Sequence, residues 1–374
     1  MSGERLRPGW ILGPWADLLI FTGPIALGLV LIGAGAWLGI LHEPLPAWAF
    51  AALIIGCDVA HVYATGFRVY LDPAELRRRP GLYLGVPIAC LAVGILLHGH
   101  SPPLFWRTLA YLAAFHFVRQ QWGWVAYCRR RAGEAGRLDR LLDQIAIYNA
   151  TLFPLLWWHA HLPRAFVWFL EGDFAPGLPP FAAEAGLYLH WSLNALYLAR
   201  QLQRGLAGRG VNWAKLQVWV TTWCAWYGGI VLLDSDLAFT ALNVLSHGIP
   251  YLAVVYRVER LRWDGAAGLL AAVFAPRRWL LFLALLAAAG YGEEWLWDRL
   301  VWHDHDGLFP GAGWSPGAAL LTVLVPLLAL PQAVHYVLDG WIWRTRSYRD
   351  LRPLFAERGL SPSSPPPDTA GGPA

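Results

Sequence analysis

Pro331-Gln332-Ala-Val-His335-Tyr-Val-Leu-Asp339-Gly-Trp-Ile-Trp343-Arg344 closes a long apolar run. That run, residues 316–341, has the length of a membrane span, for which about 20 apolar residues suffice. Gln332, His335 and Asp339 follow at helical spacings of three and four, so they share one helix face. Ionisable groups inside a span cost about 2.5–3.5 kcal/mol each at mid-helix on insertion scales, so they point to function and to partners on other helices.

The rest of the chain has the same character. Its 374 residues are 57% hydrophobic and 14% charged, with 23 Trp and a mean hydropathy of +0.40. Apolar runs of span length recur at 17–41, 47–70, 81–98, 104–127, 144–161, 184–199, 213–233, 237–256, 278–291 and 316–341, the ninth being the shortest. The expected fold is therefore all-α: a polytopic transmembrane helical bundle of about ten spans. The alternating segments of a β-barrel are missing.

Basic clusters fall on one side of this bundle: Arg5 and Arg7, Arg77 to Arg79, Arg129 to Arg131, Arg200 to Arg209, Arg257 to Arg262, and Arg344 to Arg352. Both termini are therefore expected in the cytoplasm, with the chain in a bacterial inner membrane. The formal net charge of +4 sits in these short loops and reads as topology, which argues against a nucleic-acid partner. The first span follows a polar, basic start without an A-x-A-like cleavage site, and is expected to be a retained anchor. Three regions result: a cytoplasmic segment 1–16, one transmembrane domain 17–341, and a cytoplasmic tail 342–374. The tail is Pro/Ser/Gly-rich and expected to be disordered from about residue 361. Cys57, Cys90, Cys128 and Cys224 form no CxxC pair, so neither a disulfide framework nor a zinc ribbon is expected. No clear internal repeat is present, which weighs against the common transporter architectures.

Polar residues within the spans form stripes. Asp58, His61, Thr65 and Arg68 share a face; so do Gln144, Tyr148 and Thr151, and Thr240, Asn243, His247 and Tyr251. His116, Arg119 and Gln120 lie together in the fourth span. Depth supplies a second test. His61 is seven residues from Arg68, His335 nine from Arg344, His247 ten from Arg257 and His116 thirteen from Arg129. At ~1.5 Å per residue the first three lie roughly 10–15 Å below the cytoplasmic charge line, with His116 somewhat deeper. Four histidines on four helices thus meet one layer, with Asp58 and Asp339 one turn away.

Imidazole and carboxylate are ligands for non-haem iron and for zinc, copper or manganese, so the expected metal set is Asp58, His61, His116, His247, His335 and Asp339, holding one or two ions. Gln120, Asn243 and Gln332 are expected to orient the site. Tyr148 or Tyr251 would move a proton or orient oxygen. Arg119 is expected to pair with Asp58 or Asp339, or else to hold an anionic substrate or headgroup. Gly340 to Trp343 read as an interfacial collar. A lone histidine in a span can also simply bridge helices by hydrogen bonds. His303-Asp304-His305-Asp306-Gly307 has the look of a metal loop, but it is local, without distant ligands. His98, His100, His159, His161 and His190 lie toward the opposite membrane face.

Isolated histidines on several spans, with a carboxylate among them, resemble in a general way the histidine-rich membrane non-haem iron oxygenases. These include fatty-acid desaturases and hydroxylases and the bacterial carotene-cleaving Brp/Blh proteins. The desaturase boxes, HxxxH with two HxxHH, are absent here, and no residue assignment is carried over. The ending His335-Tyr336-x-x-Asp339-Gly340-x-x-Trp343-Arg344 looks like a signature of bacterial membrane proteins. The expectation is a membrane-embedded oxidoreductase with non-haem iron, acting on a lipid or isoprenoid and drawing electrons from an external donor. Three alternatives use the same layer: a haem-binding electron-transfer or assembly protein, a transporter, and a structural subunit.

Overall fold

The computed structural model describes residues 8–344 and Leu351. Arg5, Arg7, the basic positions after Arg344 and the tail from 361 lie outside the described residues. Within them the chain is helical, with no strand. Its elements are α1 (Pro14–Trp37), α2 (Ala47–Tyr70), α3 (Pro73–Arg78), α4 (Pro80–His100), α5 (Pro102–Ala132), α6 (Arg137–Ala160), α7 (Pro180–Leu206), α8 (213–232), α9 (Asp236–Arg262), α10 (Leu269–Val273), α11 (Trp279–Trp302) and α12 (Ala318–Ile342).

Local chemistry sets many of these boundaries. Proline occupies the first turn of α1, α3, α4, α5 and α7, where its missing N–H costs nothing. Asp72, Asn212 and Ser235 cap α3, α8 and α9 by accepting backbone N–H bonds. Gly133, at φ 74°, ends α5 in the left-handed conformation that glycine adopts without strain. Pro331 interrupts α12, whose two parts, Ala318–Leu328 and Leu330–Ile342, meet at Ala329.

Six helices (α1, α2, α4, α9, α11 and α12) are long and apolar enough to cross a bilayer, which marks a membrane protein. The other four long helices, α5 to α8, coincide with four further apolar runs but carry charge at the ends that bear the basic residues. There Lys215 Nζ lies 2.8 Å from Glu134 and 3.0 Å from Asp143, and Arg129 pairs with both carboxylates. The run read as 278–291 extends in fact to Trp302, because Glu293 and Glu294 are accommodated within the helix. In the segment 258–276, α9 continues to Arg262 and only Leu269–Val273 forms a separate short helix.

α2, α5, α9 and α12 bring one histidine each to the interior. Close backbone approaches hold α2 to its neighbours. A Cβ on Gly248 of α9 would lie 2.6 Å from Cys57 Sγ, and one on Gly290 of α11 would lie 3.1 Å from the Ile55 carbonyl. Both crossings need a residue without a side chain. The helical ladder also widens to π-type turns over Phe50–Val59, before His61, and over Thr240–Val244, before His247. Such turns are often found at functional sites, because they rotate the following side chains off the regular α-helical stripe.

Candidate metal centre

His61, His116, His247 and His335 converge. None exposes more than 4% of its surface, and one ligand nitrogen from each lies within 4.8 Å of the other three. His61 Nε2 and His247 Nε2 are 3.1 Å apart. Ring centroids are 4.6 Å apart for His116–His335, 4.7 Å for His61–His247, 4.8 Å for His61–His335 and 5.1 Å for His116–His247. Phe117 stacks flat on His247, with centroids 3.5 Å apart, and Tyr336 lies against His116. The apolar wall keeps the imidazoles dry.

Hydrogen bonding orients one of the rings. Thr65 Oγ1 is 2.8 Å from His335 Nδ1 and 3.4 Å from Tyr251 Oη. Tyr251 donates to Asp339 Oδ1 at 2.8 Å, and Trp343 Nε1 donates to the same oxygen at 3.2 Å. With Nδ1–H given to Thr65, the lone pair of His335 sits on Nε2. Asp339 lies between two of the rings, 3.8 Å from His335 Nδ1 and 3.8 Å from His116 Nε2. Asp58 Oδ1 is 3.7 Å from His61 Nδ1.

The donor set fits a metal ion. His116 Nε2 and His335 Nε2 are buried and have no hydrogen-bond partner, an expensive state for a polar atom. A proton shared between the Nε2 atoms of His61 and His247 would leave His116 Nε2 and His335 Nε2 orphaned, along with the buried Nδ1 atoms of His61 and His247. A single cation would accept all four lone pairs. The 3.1 Å separation of His61 and His247 is also close to the edge of a coordination polyhedron with bonds of about 2.0–2.1 Å.

The remaining sequence candidates are placed as follows. Tyr251, Asp339 and Asp58 border the cluster. Gln120 Nε2 donates to the His247 carbonyl at 3.3 Å and so steadies the backbone. Asn243 bonds the Ala225 and Phe239 carbonyls and makes no hydrogen bond to the histidines. Gln332 is half-buried, with no hydrogen bond to the cluster. Arg119 faces outward and donates to Tyr148 Oη, in place of the ion pair expected with Asp58 or Asp339. That bond also occupies Tyr148, which stacks on Trp122. Trp343 does more than a collar residue, since it bonds Asp339 and lies 5.3 Å below the Arg68 guanidinium.

Sequence reasoning missed Glu293. Its Oε2 accepts from Tyr63 Oη at 2.6 Å and its Oε1 from Trp297 Nε1 at 3.3 Å. The only signal was an acidic pair just beyond an apolar run.

His190 is the instructive contrast. It is equally buried, yet its Nε2 lies 3.0 Å from both Trp223 Nε1 and Asn194 Nδ2, and its Nδ1 is 3.2 Å from Asn149 Oδ1. Both its nitrogens are satisfied by protein. In the 303–307 loop, ligand atoms of Asp298, Asp304 and His305 also fall within 4.8 Å. There, however, Arg299 pairs with Asp298 and Asp306, and Asp298 Oδ1 accepts the N–H groups of Asp304 and His305. The loop is held together by its own groups.

No family model, no curated protein and no solved structure matches this chain. The site is read from its own geometry.

Proposed function

We propose that the chain is an integral membrane, metal-dependent oxidoreductase that holds non-haem iron at His61, His116, His247 and His335. In this reading the bundle crosses a bacterial inner membrane about ten times, with both termini cytoplasmic. The substrate is a lipid or isoprenoid that enters from the bilayer. The observation that carries the proposal is the meeting of four buried imidazoles from four helices, two of them with an orphaned Nε2.

Bound iron would supply dioxygen activation, the chemistry that histidine and carboxylate sites with open positions perform. The chain's own residues do the rest. Thr65 fixes the tautomer and plane of His335. Asp339, with the Tyr251 and Trp343 donors on one oxygen, stands beside His116 and His335 as the group to hold or pass a proton. Phe117 and Tyr336 exclude water from the rings. Electrons come from a separate donor protein.

The tight packing of the four rings favours a bare ion over haem, because a porphyrin needs a flat space between its axial imidazoles. The test is metal analysis and an absorption spectrum on the detergent-purified chain. Near-stoichiometric iron without a Soret band is expected. A Soret band would replace this reading with haem, and absence of any metal would leave a carrier or a structural role.

The Thr65 contact gives a finer expectation. Thr65→Val keeps the shape and deletes the acceptor, so metal affinity should fall by roughly 10–100-fold while the fold persists. Competition against a coloured chelator measures it, and unchanged affinity would remove Thr65 from the site.

A further inference from the structure

The carboxylates inside this protein differ in what compensates them. Glu259, Asp143, Asp72 and Asp298 each face an arginine or lysine. Asp17 and Asp173 are held by backbone N–H groups. Buried Glu293 and half-buried Asp58 and Asp339 have neither: among the described residues no arginine or lysine lies at ion-pair distance from them, and of the three Asp339 is held by Tyr251 and Trp343 beside the cluster. Uncompensated carboxylates within an apolar bundle are costly, so they call for a cation.

Their position gives that cation a destination. α2 and α11 touch at Gly290, whose Cβ position lies 3.1 Å from the Ile55 carbonyl and 3.3 Å from Ala60 N. The Tyr63–Glu293 bond then sets Glu293 against the stretch of α2 that carries Asp58. Asp58 is the outer member of the pair. Its side chain is 27% exposed, whereas His61, 3.7 Å away, is 1% exposed. The His61 atom facing Asp58 is Nδ1, buried and without a hydrogen-bond partner. The other nitrogen of the same ring, Nε2, belongs to the four-histidine cluster. His61 therefore faces Asp58 with one nitrogen and the cluster with the other. Glu294, half-buried, follows Glu293 in α11 and has no basic partner among the described residues.

We propose that Asp58 and Glu293 form a capture site for a divalent cation, from which the ion passes through His61 into the four-histidine cluster. This rests on the metal-binding reading above and assigns the route by which the cluster is filled. Negative charge in a low-dielectric cleft concentrates cations and accelerates their entry. Oxygen ligands hold a first-row divalent ion less tightly than a set of imidazoles, which favours onward transfer.

The experiment uses full-length protein in detergent, stripped with chelator and mixed rapidly with Co²⁺, whose absorption reports coordination by the histidines. Glu293→Gln should slow uptake by roughly tenfold or more and leave the final amplitude unchanged. The exposed control Glu184→Gln should behave as wild type. Equal uptake rates for Glu293→Gln and wild type would overturn the capture site alone. Loss of final amplitude in Glu293→Gln would make Glu293 part of the binding set or of the fold, which also overturns it. No uptake by the wild type would instead sink the metal reading itself.

Discussion

Replacing His335 by alanine should empty the metal site, whereas replacing His190 by alanine should not. His335 is wholly buried, its Nδ1 is fixed by Thr65, and its Nε2 has no hydrogen-bond partner among the described residues. Removing it deletes one of four ligands and opens a cavity beside the other three. Metal content of purified His335→Ala should fall below about a tenth of wild type. The stabilisation that bound metal confers, RT ln(1 + [L]/Kd), should vanish with it. Added metal will then raise the melting temperature of wild type but not of the variant. His190→Ala leaves Asn149, Asn194 and Trp223 without their shared partner, at a cost of about 1–3 kcal/mol. It should nonetheless retain its metal, because the His190 nitrogens are already satisfied by protein. Elemental analysis of both variants decides the matter. Full metal in His335→Ala, or equal loss in both, would show that burial alone, and not the orphaned nitrogens, had singled out the cluster.

Residue counts to the nearest basic cluster place these four histidines in one layer, because helix rise converts sequence distance into depth. The same arithmetic could not say which side of each polar stripe meets the centre. Asn243 lies one turn before His247, yet it is drawn to the α8–α9 crossing, where its Nδ2 sits 2.6 Å from the Cβ position of Gly229. Arg119 is three residues after His116, roughly 60° around the helix, and that rotation carries it out of the bundle. Glu293 escaped notice because an apolar window stops at the first carboxylate, whereas the helix continues for two more turns. Thr65 was visible on the Asp58–His61 face, but its bond to His335, 270 residues away, exists only in three dimensions. The helices α5 to α8 were legible as helices from their apolar halves. Their charged ends, tied to one another through Lys215, Arg129, Arg204, Glu134, Asp139 and Asp143, make them less apolar than the six span-like helices.

Glu259→Gln should be among the most destabilising single substitutions in the chain. Arg68 and Glu259 are 1% and 0% exposed and 2.5 Å apart, on α2 and α9, toward the Arg344 end of α12. Trp263 Nε1 donates to the second Glu259 oxygen at 3.0 Å. Glutamine keeps the volume and removes the charge, so the buried Arg68 cation loses the Glu259 carboxylate. Breaking a buried pair in this way costs about 3–5 kcal/mol, more than the pair itself contributes, because the desolvation of the remaining charge is no longer offset. Arg68→Met should cost a similar amount for the converse reason. The double variant Arg68→Met/Glu259→Leu should recover most of the loss, since it leaves no buried charge. A denaturant titration in mild detergent of wild type, Glu259→Leu, Arg68→Met and the double variant gives the coupling energy directly. A second readout links the pair to the centre. The Arg68 guanidinium lies over Trp343, whose indole N–H holds Asp339 beside His116 and His335. The double variant, stable but without that cation, should therefore bind metal more weakly than wild type. If Glu259→Gln changed stability by less than about 0.5 kcal/mol, well short of the cost of breaking a buried pair, Glu259 would not be the group that offsets the burial of Arg68, and the pair would not anchor α2 to α9.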